Sequence, residues 1–388
     1  MAKKDPFIDI RPYYDEELPY VVNRMLQSPG FINSITNFMP DVPLNVTVKR
    51  IRKISTLDEM QKKVFGPIIQ TFEERSIDTL TFGGYEELPK NKAYLFVANH
   101  RDIVMDSAIM QEYLMRNGES ACLSGIGDNL LMSQIFTDIA KTGNMFTITR
   151  TGNARQMVTK SKLVSEYIHT NIYKKHKSVW IAQRNGRTKD GCDKTQPSVL
   201  KMFCMSRGNN DLFKHIRELN IVPVTISYEF EPCDQMKARE LILTEKNKKY
   251  EKMPDEDYKS ITTGIFAYKS RVHLQFGTPI NDSIDESLHF SNENEKIQYL
   301  CALIDKQMYA HYHLWPNNYI AYDLLNNSTA FQSKYSELAK RDFNQHIRKQ
   351  ANIDDVSYFK MKQRLLTIYA NPVKIAIENN LENIPVQS

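Results

Sequence analysis

A histidine with two carboxylates close behind it follows a short apolar run in the first third of the chain. The run 93–98 leads directly into Asn99 and His100, and aspartates stand at positions 102 and 106. A carboxylate beside an imidazole fixes the tautomer of the ring and stabilises the imidazolium, as a general base requires. These residues therefore indicate proton abstraction. The plainer interpretation is a loop whose histidine bonds only backbone and whose aspartate caps the next helix.

A second group combines arginines with glycines. Arg150 precedes Thr151 and Gly152, and the later segment 184–191 interleaves cations with two further glycines. Glycine lets the backbone approach an anion closely, and the guanidinium fork suits phosphate because it can form two parallel hydrogen bonds. The pattern is not a Walker loop, because GxxxxGK[ST] is absent. A solvated loop with structural glycines is the alternative interpretation.

These residues need a scaffold, and the pattern between them predicts one. Short apolar runs at 93–98, 145–150, 178–183, 221–230 and 271–280 read as strands, and helical segments separate them. Such alternation predicts an α/β fold with a mostly parallel sheet flanked by helices. We predict three regions, namely a helical N-terminal region (1–80), an α/β domain (81–290) and a helical C-terminal region (291–388). In such a sheet the carboxyl ends of strands bind ligands.

Composition narrows the class of protein. Of 388 residues, 41% are apolar and 25% are charged, which excludes a disordered chain, a collagen and a small disulfide scaffold. The net charge of +5 is too small to indicate nucleic acid, and it fits an anionic substrate or a membrane surface equally well. We expect no spanning helix and no signal peptide, since no long apolar run occurs.

The cysteines and histidines are scattered along the chain. Five cysteines form no CxxC pair, so we expect neither a disulfide framework nor a zinc site, and a reducing cytosol is the natural environment. The nine histidines are dispersed as well. The sequence therefore predicts no metal.

Four segments in this order resemble the glycerolipid acyltransferase family, which includes glycerol-3-phosphate and lysophosphatidate acyltransferases. The first block is an Asn-His pair with a following Asp, similar to Asn99, His100 and Asp106. The other three are similar to Gly143-x-x-Phe146 with Arg150, to the segment 185–188, and to the proline-containing strand 222–226. The resemblance covers about 90–280. Two departures are an extra residue between His100 and Asp106 and the lack of the third block's glutamate.

The resemblance implies transfer of a fatty acyl group from a thioester to the hydroxyl of a glycerol phosphate or lysophosphatidate. The donor would be acyl-CoA or acyl carrier protein as co-substrate, with no other cofactor. His100 would be the base and Asp106 its partner, with Asp102 as the alternative partner, because Asp102 is also placed to cap the helix. The residues implied to hold the anionic head group of the acceptor are Arg150, Arg184, Gly186, Arg187, Thr188 and Lys189.

A lipid acceptor implies contact with a membrane surface. We expect a peripheral enzyme on the cytoplasmic face of the membrane, with no nucleic-acid partner. Lipid contacts would come from basic and aromatic residues of the N-terminal helices or of the segment 309–315, although these aromatics equally fit a core.

Three alternatives remain open. The acceptor could be another lysolipid, such as an amino-acid lipid. The chain could be a non-catalytic lipid-binding protein of the same fold. It could also be a thioesterase that uses Cys192 or Cys233 as a nucleophile.

Overall fold

A seven-stranded sheet occupies the centre of the computed structural model, which describes residues 5–39, 42–248 and 250–381. Its strands are β1 (Ile77–Gly83), β2 (Leu95–Ala98), β3 (Leu123–Gly127), β4 (Met145–Ile148), β5 (Val179–Ala182), β6 (Ile221–Tyr228) and β7 (Ser270–Phe276). Their order in the sheet is β1-β7-β6-β2-β5-β3-β4. The five strands from β6 to β4 are parallel, whereas β7 pairs antiparallel with β6 and parallel with β1. The predicted α/β class with a mostly parallel sheet is confirmed.

Two of these strands were not predicted from the sequence. The strand β3 reads Leu-Ser-Gly-Ile-Gly, and its two glycines remove the run of bulky side chains that usually marks a strand. The strand β1 is short of buried residues and falls mostly within the region predicted to be helical. Both strands form because neighbours already in the sheet offer them hydrogen-bonding partners, which local sequence does not report.

Helices pack against both faces of the sheet. The N-terminal helices are α1 (Leu18–Leu26), α2 (Pro29–Phe38), α3 (Leu44–Ile51), α4 (Leu57–Met60) and α5 (Gly66–Ser76), with a π-helical turn, Gln61–Phe65, between the last two. Between strands lie α6 (Met105–Arg116), α7 (Gln134–Thr142), α8 (Ala154–His169), α9 (Pro197–Cys204), α10 (Leu212–Glu218), α11 (Asp234–Asn247) and α12 (Glu256–Phe266). The C-terminal helices are α13 (Glu293–His311), α14 (Pro316–Asn326), α15 (Glu337–Ala351) and α16 (Tyr358–Glu378).

The alternation of side chains along β2 places a core on each face of the sheet. Leu95 and Val97 pack with residues of α8, α9, α10 and α13. Phe96 and Ala98 point the other way and pack with α6 and with Phe72 of α5. Successive side chains of a strand point to opposite faces, so an all-apolar strand such as β2 must be covered on both sides.

The loops after β2 and β5 leave the sheet in different directions. The loop after β2 leads to α6 on one face, and the loop after β5 leads to α9 on the other face. Neighbouring parallel strands whose connections diverge in this way leave a crevice at their carboxyl ends. The two loops stay in contact, because the amide of Thr188 donates to the carbonyl of His100 at 2.6 Å.

The C-terminal helices are packed onto this end of the molecule. The helix α13 contributes Ile297, Leu300 and Ile304 to the core of the sheet. Gly191, in the loop after β5, has a φ of +82°, and a side chain there would lie 2.2 Å from the carbonyl oxygen of Ile368 in α16. Glycine is therefore required where this loop meets α16. The division at residues 80 and 290 stays a prediction.

The described helices differ from membrane-spanning helices in length and apolar character. None of them combines the length and the apolar character needed to cross a membrane.

Candidate active site

The imidazole of His100 is held by Asp106. Nδ1 of His100 lies 2.9 Å from Oδ2 of Asp106, and the same oxygen accepts the backbone amides of Arg101 at 2.6 Å and Asp102 at 2.8 Å. The other carboxylate oxygen, Oδ1, accepts the hydroxyl of Tyr228 at 2.8 Å. Asp106 is only 2% exposed. Four donors therefore fix this carboxylate in one orientation, and the carboxylate fixes the ring.

Asp102 has a different task. Its Oδ1 accepts the backbone amides of Val104 at 2.9 Å and Met105 at 2.8 Å, which satisfies donors at the start of α6. Asp106 lies in the first turn of that helix, where the helix dipole favours a negative charge. The extra residue between histidine and aspartate is absorbed in the turn before α6. The structure thus brings Asp106, and not Asp102, to His100.

The second nitrogen of His100 is left open. A carboxylate accepts hydrogen bonds, so Nδ1 carries the proton and Nε2 keeps a lone pair. Across the described residues, Nε2 makes no hydrogen bond to protein, and the side chain retains 12% exposure. The ring meets Trp180 edge to face, with centroids 6.0 Å apart. This geometry suits a base that takes a proton from a hydroxyl supplied by a substrate.

Unpartnered polar atoms line the neighbouring loop. Arg187 is 9% exposed, and its Nη1 has no hydrogen-bond partner within the described chain. The same holds for the buried Oγ1 of Thr188 and the Nε of Arg184. Buried polar groups are normally paired, so several orphans on one loop indicate a site that a ligand completes. Gly186, with a φ of +75°, has open space where a side chain would project.

The remaining two predicted cations lie elsewhere. Lys189 forms an ion pair with Glu240 of α11, so its charge is already compensated. Arg150 follows β4 at the edge of the sheet, three strands from β2 or about 14 Å at the usual strand spacing. Its Nε lies 2.7 Å from the point where a Cβ on Gly127 would be, so the side chain leans over the end of β3 towards the crevice.

A buried group of ion pairs holds the backbone next to His100, and the sequence does not predict it. Arg101 is 1% exposed and bonds Asp193 through Nη2 at 2.7 Å and Glu231 through Nη1 at 3.1 Å. Lys237 donates to the carbonyl of Arg101 and to Glu231, both at 2.6 Å. Burial acts to lower the pKa of Arg101, but the two carboxylates outweigh it and raise that pKa above its ordinary value. The chain carries no local signal for these partners, because they lie far away in sequence.

Tyr228 was missed for the same reason, since it was read only as part of an apolar strand. Burial, reinforced by the charge of Asp106, raises the pKa of the Tyr228 hydroxyl well above its usual range. The hydroxyl therefore remains a donor to Asp106 at all physiological pH values.

The two candidate nucleophilic cysteines are poorly suited to that role. Burial, reinforced by Asp190, raises the pKa of Cys192 to about 11. Burial, reinforced by Asp102, raises the pKa of Cys233 to about 11 as well. The thiolate is the reactive form, so little of either cysteine is reactive at neutral pH. The geometry gives no support to a cysteine-dependent thioesterase.

A known protein family matches the middle of the chain. Residues 79–227 match the family model described as acyltransferase. No curated protein matches the chain. Among solved structures, the chain is similar to the 1-acyl-sn-glycerophosphate (LPA) acyltransferase PlsC from Thermotoga maritima, at 14% identity and a TM-score of 0.35, over 75% of this chain and 93% of that one.

The family match begins within β1 and ends within β6. It therefore includes both His100 and Asp106 and the loop that carries Arg187. It confirms the resemblance and the enzyme class expected from the sequence, an acyltransferase. Residues 79–227, less than half of the chain, are thus similar to the acyltransferase family.

Proposed function

We propose that this domain moves a fatty acyl group from a thioester, acyl-CoA or acyl carrier protein, to the hydroxyl of a glycerol phosphate or lysophosphatidate. One observation carries the proposal. An imidazole with a free nitrogen, His100, stands beside a loop whose buried arginine, Arg187, has an unused donor. The first suits deprotonation of a hydroxyl, and the second suits an anionic group on the same acceptor.

The proposed step needs no covalent enzyme intermediate, because a thioester already has a good leaving group. Nε2 of His100 takes the proton of the acceptor hydroxyl as its oxygen attacks the thioester carbonyl. The C–O bond forms, the C–S bond breaks, and the departing sulfur receives the proton from the imidazolium. Asp106 stabilises the imidazolium while it exists. A positioned base of this kind contributes about 10²–10⁴-fold.

Phosphate on the acceptor is supported by the type of residue left unpartnered. Arg187 and Arg184 are cations with buried nitrogen atoms, and Thr188 adds a hydroxyl. A phosphate oxygen on Arg187 Nη1 would complete a hydrogen bond that the protein leaves open. Arg150 leans towards the crevice from the edge of the sheet and would meet a more distant part of the acceptor. Lys189 keeps its predicted role only if the ion pair with Glu240 opens.

We also propose that the enzyme works at the cytoplasmic membrane face. The two candidate regions for lipid contact differ in exposure. Trp315 is buried, and its indole nitrogen donates to the carbonyl of Ser227 at 3.2 Å, so this part of the segment 309–315 is core. Tyr20 of α1 is 73% exposed. The N-terminal helices therefore remain the candidate contact, as expected of a peripheral amphipathic surface.

The test is acyl transfer by purified protein on lipid vesicles. The donors are long-chain acyl-CoA and acyl carrier protein, and the acceptors are glycerol 3-phosphate, lysophosphatidate and a lyso-amino-acid lipid. We expect transfer to a phosphate-bearing acceptor that falls by about two decades or more in His100→Ala. His289→Ala is the matched control, because His289 is exposed.

Each other outcome has a defined meaning. Transfer only to the amino-acid lipid would keep the mechanism and replace the acceptor. Transfer that survives His100→Ala in full would overturn the base role. No transfer to any acceptor by folded protein would favour the non-catalytic lipid-binding alternative.

A further inference from the structure

Two histidines and a glutamate meet where α8 and α10 end. His169 is the last residue of α8, and His215 and Glu218 lie three residues apart on α10 and so share one face of it. Nε2 of His169 lies 2.8 Å from Oε2 of Glu218. One candidate ligand atom from each of the three residues lies within 4.8 Å of the others. We propose that these side chains form a binding site for a zinc ion.

The donor set selects the ion. Two imidazoles and a carboxylate, with one position left for water, are typical ligands of Zn²⁺ in four-coordinate sites. Mg²⁺ instead demands six oxygen ligands in near-octahedral geometry. Donor atoms about 2 Å from a tetrahedral ion lie about 3.3 Å apart. Separations of up to 4.8 Å must therefore close by up to about 1.5 Å, and the 2.8 Å contact between His169 and Glu218 must open slightly. The set is therefore close to a zinc geometry and far from a magnesium one.

The orientation of His215 is already fixed. Its Nε2 lies 3.0 Å from the carbonyl oxygen of Phe203, and a carbonyl can only accept, so Nε2 carries a proton. The lone pair is thereby left on Nδ1. Metal-binding histidines commonly donate their other N–H to a carbonyl in this way, which fixes the tautomer. His215 is also buried, so packing holds the ring in place.

His169 is the side chain that must move. The rings of His169 and His215 stack with centroids 4.9 Å apart and an angle of 19° between planes. The lone pairs of an imidazole lie in the ring plane. The planes of two stacked, nearly parallel rings do not meet at one ion, so one ring has to turn before both can bind it. His169 is the more exposed of the two and ends its helix, where a π-helical turn, Thr170–Lys174, begins. Tyr173 in that turn stacks against the same ring, at a centroid distance of 5.3 Å.

The location separates this site from the chemistry. The helices α8 and α10 end shortly before β5 and β6 begin, whereas His100 follows the other end of the neighbouring β2. The zinc ion would thus join two helices near the amino ends of β5 and β6, at the opposite end of these strands from His100. Its effect would be on stability, with no part in acyl transfer.

The experiment measures zinc binding by the full chain after treatment with a chelator and dialysis. Equilibrium dialysis against Zn²⁺ gives the stoichiometry, and thermal unfolding with and without Zn²⁺ gives the stabilisation. We expect about one zinc per chain and a melting temperature raised by several degrees at saturating Zn²⁺. Mg²⁺ at the same concentration should change neither. His169→Ala and Glu218→Gln should weaken zinc binding at least tenfold and abolish the thermal shift.

The choice of variants and a control variant separate loss of the zinc site from loss of the fold. Both substitutions are at partly exposed positions, so neither depends on removing the buried His215. His289→Ala removes an exposed histidine and should bind zinc as the parent chain does. Zinc that binds equally to His169→Ala and Glu218→Gln would place the ion elsewhere, for example on a thiol, and overturn the proposal. Absence of binding to the folded parent chain would overturn it as well.

Discussion

Two buried polar clusters lie next to each other at the carboxyl end of the sheet, and they differ in how their polar groups are paired. The paired cluster consists of Arg101, Lys237, Asp193 and Glu231, and each of its cations has a carboxylate partner. The open cluster consists of His100, Asp106, Arg187 and Thr188. In the described part of the chain, its Arg187 Nη1 and Thr188 Oγ1 have no hydrogen-bond partner at all.

This difference in pairing indicates that the paired cluster supports the structure and that the open cluster binds substrate. Burying an unpaired charge or donor costs free energy, so unpaired donors that share one loop point to a ligand that pairs with them. The cations of the paired cluster donate their hydrogen bonds to groups of the protein. One of these bonds, from Lys237 to the carbonyl of Arg101, holds the backbone of residue 101 in place. His100 is the next residue along the chain, so this support reaches the imidazole directly. Substitutions in the paired cluster should therefore lower stability, and substitutions in the open cluster should lower activity.

The largest expected effect is on the stability of the paired cluster. Arg101→Met leaves the carboxylates of Asp193 and Glu231 buried beside an apolar side chain. Removing one partner of a buried ion pair typically costs about 3–5 kcal/mol, and we expect a loss of that size in the free energy of unfolding in urea. Arg341→Met is the control, since Arg341 pairs with its neighbour Asp342 on the exposed surface. A loss within about 1 kcal/mol of zero would mean that the pairing contributes little net stability.

Arg187→Met tests the open cluster with the same chemical change. We expect a rise of about 10–100-fold in the KM for a phosphate-bearing acceptor, because a charge-assisted hydrogen bond contributes about 1.5–3 kcal/mol. The KM for the acyl donor and the urea midpoint should stay close to those of the parent chain. A fall in stability as large as that of Arg101→Met, with an unchanged KM for the acceptor, would show that Arg187 supports the structure and does not bind the acceptor.

Tyr228→Phe removes a hydroxyl that fixes the carboxylate of Asp106. The side chain keeps its packing, so the expected change is a fall of about tenfold in kcat with little change in KM, from the loss of one hydrogen bond to a charged group. Tyr94→Phe is the matched control, because Tyr94 is also buried but donates to the carbonyl of Pro89 instead. Equal kcat values for the two variants would show that Tyr228 does not position Asp106.

The parts of this site that could be predicted from the sequence are local in the chain. His100 and Asp106 stand six residues apart, so the end of one strand and the first turn of the next helix already place them together. Tyr228 is 122 residues from Asp106, and it meets the carboxylate only because β6 pairs with β2. The short strand β3 was missed for a related reason, since its glycines carry no strand signal until neighbours supply the pairing.

Lys189 is a residue whose predicted role depends on a partner that is distant in the sequence. The sequence places it in a basic loop and predicts an anion contact. The structure instead gives its charge to Glu240, which lies 51 residues further along the chain on α11. No pattern within the loop indicates which of its cations finds a carboxylate across the fold. Only the folded structure therefore shows which cations of this loop have a carboxylate partner and which do not.

The smallest expected effect follows from that ion pair. Lys189→Met should change the acceptor KM by less than about twofold, because an ammonium already compensated by Glu240 offers little to a second anion. Arg187→Met, two residues away, is its matched comparison under the same assay. If Lys189→Met instead raised the KM as much as Arg187→Met, the pair would have to open when the acceptor binds. Glu240→Gln would then lower the KM, since it would free the lysine without that cost. An unchanged acceptor KM in both Lys189→Met and Glu240→Gln would show that Lys189 stays paired with Glu240 when the acceptor binds.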